Sequence, residues 1–182
     1  MNIGRWSIAV IATIVLLFAG CGGGGGGSSS NDTSSGVEID LDGLNIRTEE
    51  LMVVTGNNVS PIDDVSTVTL TKEEKTVVGV YRNFQPILMG RKVAGQERAE
   101  VSLTSSAETY VLFHPRFNDV VSKDPLELSR RIRNHPRFGE LKGLLKKEIE
   151  SGNPCPMNPQ CSPVVRDLAI VIADELQLDD LY

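Results

Sequence analysis

The spacing of apolar residues changes along the stretch VSLTSSAETYVLFHPRF, residues 101–117. Before it, β-branched and apolar residues occur in short runs interrupted by turn residues, which is typical of strands. After it, apolar residues recur at three- and four-residue intervals, which is typical of amphipathic helices. Within it, Ser105 and Glu108 match a capping box and predict the start of a helix. We therefore expect a β segment over residues 37–104 and a helical segment over residues 105–182.

The helical segment is predicted to contain about four helices. The second begins at Asp124, an acidic N-cap followed by a proline that suits the first helical position. The third follows His135-Pro136, carries an apolar stripe at helical spacing and stops at Gly152. The last begins at Ser162-Pro163 and is apolar over a wide arc. The predicted bounds are 105–114, 124–134, 135–151 and 162–176.

Seven short strands are predicted in the β segment: 37–41, 44–47, 51–55, 65–71, 76–82, 86–93 and 99–104. The first two alternate apolar and polar residues around Asp42-Gly43, a turn signal, and predict a hairpin. Short strands at regular spacing, with no helix between them, favour an antiparallel sandwich. The predicted fold class is α+β, with an N-terminal antiparallel β-sandwich packed on about four C-terminal helices.

The N-terminal residues have the pattern of an export signal. Arg5 precedes an apolar run over residues 6–18, which is shorter than the roughly 20 residues of a membrane-spanning helix. The run ends in the small residues Ala19 and Gly20, which suit a peptidase site. Residues 1–20 are therefore predicted to be a signal peptide.

Residues 17–21, LFAGC, resemble the lipobox of bacterial lipoproteins, although Phe18 stands where that family usually has Leu, Val or Ile. The resemblance implies that Cys21 becomes the mature N-terminus and carries acyl chains such as palmitate. It also implies attachment to a membrane of a bacterial cell envelope through this lipid anchor. Gly22 stands where aspartate would act as an inner-membrane retention signal in the enterobacterial pattern, which favours the outer membrane in a cell with two membranes, on its periplasmic or surface-exposed side.

Residues 21–36 form a segment rich in glycine and serine. The residues after Cys21 in this segment have no large apolar side chains, so burial cannot offset the entropy lost on ordering the chain. We expect a flexible tether with an extended reach of about 50 Å.

The chain is acidic, with a formal net charge of −6 that becomes more negative when Arg5 leaves with the signal peptide. This balance disfavours a nucleic-acid partner and gives no attraction to anionic lipid headgroups. Cys155 and Cys161 remain as an even pair in an exported chain, which predicts a disulfide bond between them.

The tetrapeptide HPRF occurs twice, at residues 114–117 and 135–138, and uses both histidines of the protein. Two imidazoles are too few ligands for a zinc site. Prolines at helix boundaries and phenylalanines in the core explain the repeat better. We predict no metal site and no cofactor.

A basic cluster lies in the helical segment of this acidic chain: Arg130, Arg131, Arg133 and Arg137. It is interpreted as a solvated helix face paired with nearby glutamates, or as a docking patch for an acidic partner or a glycan phosphate.

Two runs, VVGVYRNFQPILMG at residues 77–90 and VSLTSSAETYVLFHPRF at residues 101–117, are similar to a group of uncharacterised bacterial envelope lipoproteins. In that group a β segment ends in a Ser-Thr-Ala-type helix followed by an Asn-Pro or His-Pro break. The resemblance implies an architecture and an envelope location, and it implies no activity.

The sequence favours a non-catalytic, membrane-tethered binding or envelope-assembly module whose partner is an envelope protein or a glycan. No serine-hydrolase, metalloprotease or phosphate-loop motif occurs, so no catalytic residue is predicted. The alternative is a small envelope hydrolase whose site is assembled by the fold. A concave polar pocket that holds His114 or His135 beside a carboxylate would favour the hydrolase; a flat apolar or basic face would favour the module.

Overall fold

The computed structural model describes residues 35–41, 43–55, 58–62, 69–70, 77–92, 96, 98–117 and 124–177. All of these belong to the second of two units into which the chain divides, Thr33–Tyr182. The predicted signal peptide, Cys21 and the tether before residue 35 lie outside the described residues. Among the described helices, none is both long and apolar enough to cross a bilayer.

Seven strands in the described part of the chain form two sheets. Their bounds are β1 Ser35–Ile39, β2 Leu51–Thr55, β3 Asn58–Pro61, β4 Thr69–Leu70, β5 Val77–Arg82, β6 Gln85–Arg91 and β7 Ala99–Val101. The four-stranded sheet has the order β3-β2-β5-β6 and is antiparallel throughout. The three-stranded sheet has the order β4-β1-β7, in which β1 and β4 are antiparallel.

The predicted hairpin over residues 37–47 is wrong. β1 pairs in parallel with β7, so that Val37 lies opposite Ala99 and Ile39 opposite Val101, and residues 44–47 are not a strand. The alternation in β1 correctly places its apolar side chains toward the core. Alternation does not select the partner strand, because any strand with a matching buried face can pair with it.

Other parts of the strand prediction also differ from the structure. Residues 58–61 were not predicted as a strand, but they form β3, which pairs with β2 in antiparallel orientation. β1 begins at Ser35, inside the range predicted for the tether. The mixed α/β class with two sheets is confirmed, whereas the all-antiparallel arrangement is wrong for β1 and β7, and the sandwich itself is not confirmed.

Four helices in the described residues follow the strands: α1 Leu103–Leu112, α2 Pro125–Arg133, α3 Phe138–Glu150 and α4 Pro163–Glu175. α2 begins as predicted, with the Asp124 side chain accepting a hydrogen bond from the Glu127 backbone N–H at 2.9 Å. α3 is followed by Gly152 at φ +82°, a left-handed position that suits glycine at a helix end.

α1 begins earlier than predicted, and its capping box involves different residues. Ser102 is the N-cap; its hydroxyl accepts from the Ser105 backbone N–H at 3.1 Å, and the Ser105 hydroxyl accepts from the Ser102 N–H at 2.8 Å. The prediction of a box between Ser105 and Glu108 is therefore wrong. A serine can return the second bond as glutamate does, and the earlier start places Glu108 inside the helix.

α1 closes an edge of the four-stranded sheet and contacts every other helix. The Ser106 hydroxyl accepts from the Met89 N–H at 2.9 Å, and the Ser105 hydroxyl donates to the Met89 carbonyl at 3.0 Å. These bonds satisfy backbone groups of the edge strand β6. The largest fully buried side chains are Leu51, Ile87, Leu88, Ile132, Leu141, Leu145, Ile149 and Ile172.

The predicted disulfide pair lies in the loop between α3 and α4. The sulfur atoms of Cys155 and Cys161 are 2.02 Å apart, and their Cα atoms are 5.9 Å apart. The Asn153 side-chain amide donates to the carbonyl of Cys161 at 3.2 Å and to the Ser162 hydroxyl at 3.1 Å. The covalent link and this amide together hold the loop at the start of α4.

The two HPRF phenylalanines differ in burial, although both were expected to be largely buried. Phe138 is 4% exposed, whereas Phe117 is only partly buried.

We expect Phe138→Ala to lower the free energy of unfolding by about 3–5 kcal/mol. Phe117→Ala should have a smaller effect, because the Phe117 side chain buries less apolar area on folding than Phe138 does. Urea unfolding followed by circular dichroism measures both, and equal effects would contradict the assigned difference in burial.

Candidate functional site

A cleft of about 290 Å³, lined mostly by charged and polar residues, lies between the end of β6, β7, α1 and α2. We call it the α1–α2 cleft. Its ionisable lining residues are Arg91 from β6, Glu100 from β7, Glu108 from α1, and Arg130 and Arg133 from α2. Elements from both halves of the chain therefore contribute charge to one concave surface.

Glu108 is the buried centre of the cleft, with 3% of its surface exposed. Its Oε1 accepts hydrogen bonds from Arg91 Nη2 at 3.2 Å and from the Ser129 hydroxyl at 2.7 Å. Its Oε2 accepts from Arg133 Nε at 2.8 Å. Both oxygens of a buried carboxylate are thus satisfied by charged and polar donors, as burial of a charge requires.

Arg133 links this buried acid to a second carboxylate. Its Nη1 and Nη2 each lie 3.4 Å from Glu100 Oε2, and the other Glu100 oxygen accepts from the Ser102 hydroxyl at 2.7 Å. Burial by itself would lower the pKa of Arg133, but hydrogen bonds and charge from Glu108 and Glu100 outweigh burial and raise that pKa above its usual value. The guanidinium therefore stays charged.

Arg91 is the least satisfied cation of the cleft. Its Nη2 donates to Glu108 and, at 3.3 Å, to the Ser129 hydroxyl. Its Nε is buried and meets no acceptor within the described residues. A buried N–H without a partner is uncommon in folded proteins and marks Arg91 as a group with unused hydrogen-bonding capacity.

The four arginines predicted as a patch have different partners in the structure. Arg130 and Arg133 line the cleft, Arg131 donates to the Gln177 carbonyl at 2.7 Å, and Arg137 pairs with Glu140 at the start of α3. Arg130 and Arg131 both bind the carboxylate of Glu127 on their own helix. These hydrogen bonds lower the pKa of Glu127 from 4.5 to about 2.

The two HPRF segments share one local hydrogen bond, and both place their histidine near the end of the same helix. In each, the histidine Nδ1 accepts from the backbone N–H of the arginine two residues later, at 3.3 Å for His114 and 3.2 Å for His135. Their Nε2 atoms lie 3.6 Å from Asp174 and 3.1 Å from Glu175, both at the end of α4. No group of metal-ligating side chains large enough to hold an ion occurs among the described residues.

A second cavity, of about 200 Å³, lies between α1 and α4 and is mainly apolar. Tyr110 and His114 line it, together with Phe113 and Ile170. The Tyr110 hydroxyl donates to the Ser162 carbonyl at 3.5 Å. Burial is the main cause that raises the pKa of Tyr110 from 10.0 to about 12, and it outweighs the lowering effect of the Ser162 side chain.

The raised pKa of Tyr110 predicts a loss of stability in alkali. The neutral phenol contributes stability that is complete below pH 10 and is lost as the pH rises toward 12, since the unfolded chain releases the proton first. We expect the free energy of unfolding of Tyr110→Phe to depend less on pH over this range than that of the parent protein. Urea unfolding at a series of alkaline pH values measures the difference, and parallel pH profiles would contradict the prediction.

Glu108, Arg91, Glu100 and Ser129 were not predicted as site residues from the sequence. One signal was available: Glu108 is the only charged residue in α1. A single charge in an otherwise uncharged helix needs a partner when the helix is buried. The partners could not be read from the sequence, because they come from β6 and α2.

Comparison with known proteins adds no relative from which a function could be transferred. No family model, no curated protein and no solved structure matches the chain. The α1–α2 cleft is therefore interpreted from its own geometry.

Proposed function

We propose that this chain is a lipid-anchored, non-catalytic binding or envelope-assembly module of a bacterial cell envelope, and that it binds its ligand in the α1–α2 cleft. The observation that carries the proposal is a concave surface lined by charged side chains and built around the buried Glu108. Acyl chains on Cys21 supply the membrane attachment, and the segment after Cys21 supplies the tether. The outer membrane is the proposed destination.

The cleft suits binding better than hydrolysis. The Ser129 hydroxyl donates to Glu108, but both oxygens of this carboxylate already accept hydrogen bonds from arginines, so Glu108 serves as a counter-charge and is not free to act as a catalytic base. Neither histidine lines the cleft, and the cavity that His114 does line is mainly apolar. An envelope protein or a glycan with a polar group that fits the cleft is the proposed partner.

The anchor is tested on the full-length protein expressed in a bacterium with two membranes. Mass spectrometry should find a mature N-terminus at Cys21 that carries acyl chains, and density-gradient fractionation should place the protein in the outer membrane. Cys21→Ser should abolish acylation and release the protein from membranes. A mature chain that starts elsewhere, or a Cys21→Ser variant that fractionates with membranes as the parent does, would contradict the anchor.

The cleft is tested by blocking it with one bulky side chain. Leu126 lines the cleft, is 46% exposed and is the second residue of α2, after a proline; Val164 is 58% exposed, does not line the cleft and is the second residue of α4, also after a proline. Leu126→Trp should therefore fill the cleft mouth, and Val164→Trp is its matched control. Native mass spectrometry of protein purified from envelopes should show a bound molecule with the parent and Val164→Trp, and not with Leu126→Trp.

Two other results of this comparison would lead to different conclusions. The same bound molecules in all three proteins would place the binding site outside the cleft. A bound molecule that the purified parent slowly cleaves, and that Ser129→Ala leaves intact, would favour the hydrolase alternative.

A further inference from the structure

We infer that the ligand of the α1–α2 cleft carries an oxyanion, a carboxylate or a phosphate group, which binds Arg133 in the place that Glu100 occupies in this structure. The inference rests on the proposed function, since it assigns a chemical class to the ligand of the same cleft. Three features of the cleft lead to it: the geometry at Arg133, the exposure of Glu100 and the balance of charge.

Arg133 holds its two carboxylates unequally. Its Nε lies 2.8 Å from Glu108, whereas Nη1 and Nη2 are both 3.4 Å from the same Glu100 oxygen. Good N–H···O hydrogen bonds are usually shorter than about 3.2 Å. A guanidinium binds an oxyanion best when its paired N–H groups face two different oxygens. The Nη side of Arg133 is therefore directed at an oxyanion position that Glu100 fills imperfectly.

Glu100 can leave this position more easily than Glu108 can. The Glu100 side chain is 39% exposed, so its carboxylate can turn into water, where hydration replaces the hydrogen bonds that it gives up. The Glu108 side chain is 4% exposed and accepts from two arginines and a serine, so it cannot turn out without depriving the partly buried Arg91 and Arg133 of their shared counter-charge. Glu100 is the exchangeable member of the pair.

The balance of charge in the cleft indicates that the ligand that takes the place of Glu100 is an anion. Among the described lining residues, Arg91 and Arg133 are matched in number by Glu100 and Glu108, and the other cation, Arg130, is already bound by Glu127 through two hydrogen bonds. When Glu100 turns away, the site lacks one negative charge. A neutral or cationic ligand would leave Arg133 half paired, whereas an oxyanion restores both the charge and the hydrogen bonds.

The test is isothermal titration of the full-length protein in a non-ionic detergent, with inorganic phosphate and acetate as separate probes. We expect one site per chain for at least one probe, and the comparison of the two shows which oxyanion the cleft prefers. Glu100→Gln should tighten binding about fivefold, because it removes the competing charge. Leu126→Trp should abolish binding, and Val164→Trp should leave it unchanged. Added sodium chloride should weaken binding through screening.

Three results would overturn the inference: neither probe binds the parent, Glu100→Gln binds as the parent does or more weakly, or Leu126→Trp binds as well as Val164→Trp. These results are distinguishable from failure of the proposed function. An acylated, outer-membrane protein that retains an envelope molecule but binds neither probe remains a binding module with a different ligand chemistry. A protein that binds phosphate in the cleft but is not acylated at Cys21 loses the anchor and keeps the oxyanion site.

Discussion

Replacing Glu108 with alanine is expected to lower the free energy of unfolding by about 3 kcal/mol, the low end for breaking a buried ion pair, because Arg91 and Arg133 lose their shared buried counter-charge but are themselves partly exposed. The Glu108 side chain is 4% exposed, and α1, β6 and α2 meet at its carboxylate. Urea unfolding followed by circular dichroism measures the change. The loss should be larger than that of any single exposed ion pair in the described chain.

Glu140→Ala is the matched control for this change. Glu140 also lies in a helix and also pairs with an arginine, Arg137, but its side chain is 54% exposed. Because both changes replace glutamate with alanine in a helix, the gain in helix propensity is similar in both. The control should change the free energy of unfolding by less than about 1 kcal/mol. Similar small effects for both variants would show that the Glu108 network adds no stability.

Gly90→Ala is expected to destabilise the protein by about 3 kcal/mol or more, the upper range for steric overpacking. A Cβ atom on Gly90 would lie 1.9 Å from the Glu100 carbonyl oxygen and 2.9 Å from its carbonyl carbon. These are backbone atoms of β7, so the clash can be relieved only by moving one strand away from the other. The change should also displace Glu100 and alter the α1–α2 cleft.

Gly139→Ala provides the opposite expectation in the same assay. Gly139 lies in the first turn of α3, and a Cβ atom there would meet no atom within 4 Å. Alanine should raise the free energy of unfolding by about 0.5–1 kcal/mol, because it restricts the unfolded chain and favours the helix. If Gly90→Ala were tolerated as well as Gly139→Ala, the close crossing of β6 and β7 would be wrong.

Local features of the sequence predicted those parts of the fold that depend on neighbouring residues. Asp124 with its following proline marked the start of α2, and Gly152 followed the end of α3 because helix ends are satisfied within a few residues. The strand 51–55 was predicted at the bounds it has, since its alternating burial matches a sheet with one buried face. The pairing of Cys155 with Cys161 was predicted because they are the two cysteines left in a chain expected to be exported.

The tertiary structure alone decided the pairings that join distant segments. β1 pairs with β7, and Glu108 meets Arg91 and Arg133, through contacts between residues that local patterns cannot relate. Glu108 was assigned to a helix start because an S-x-x-E pattern satisfies the same local rule whether the glutamate caps the helix or lies buried inside it. Its burial depends on where β6 and α2 pack, and packing is a property of the folded chain. The sequence therefore determined where most helices and strands lie, and the fold determined which charges meet to form the cleft.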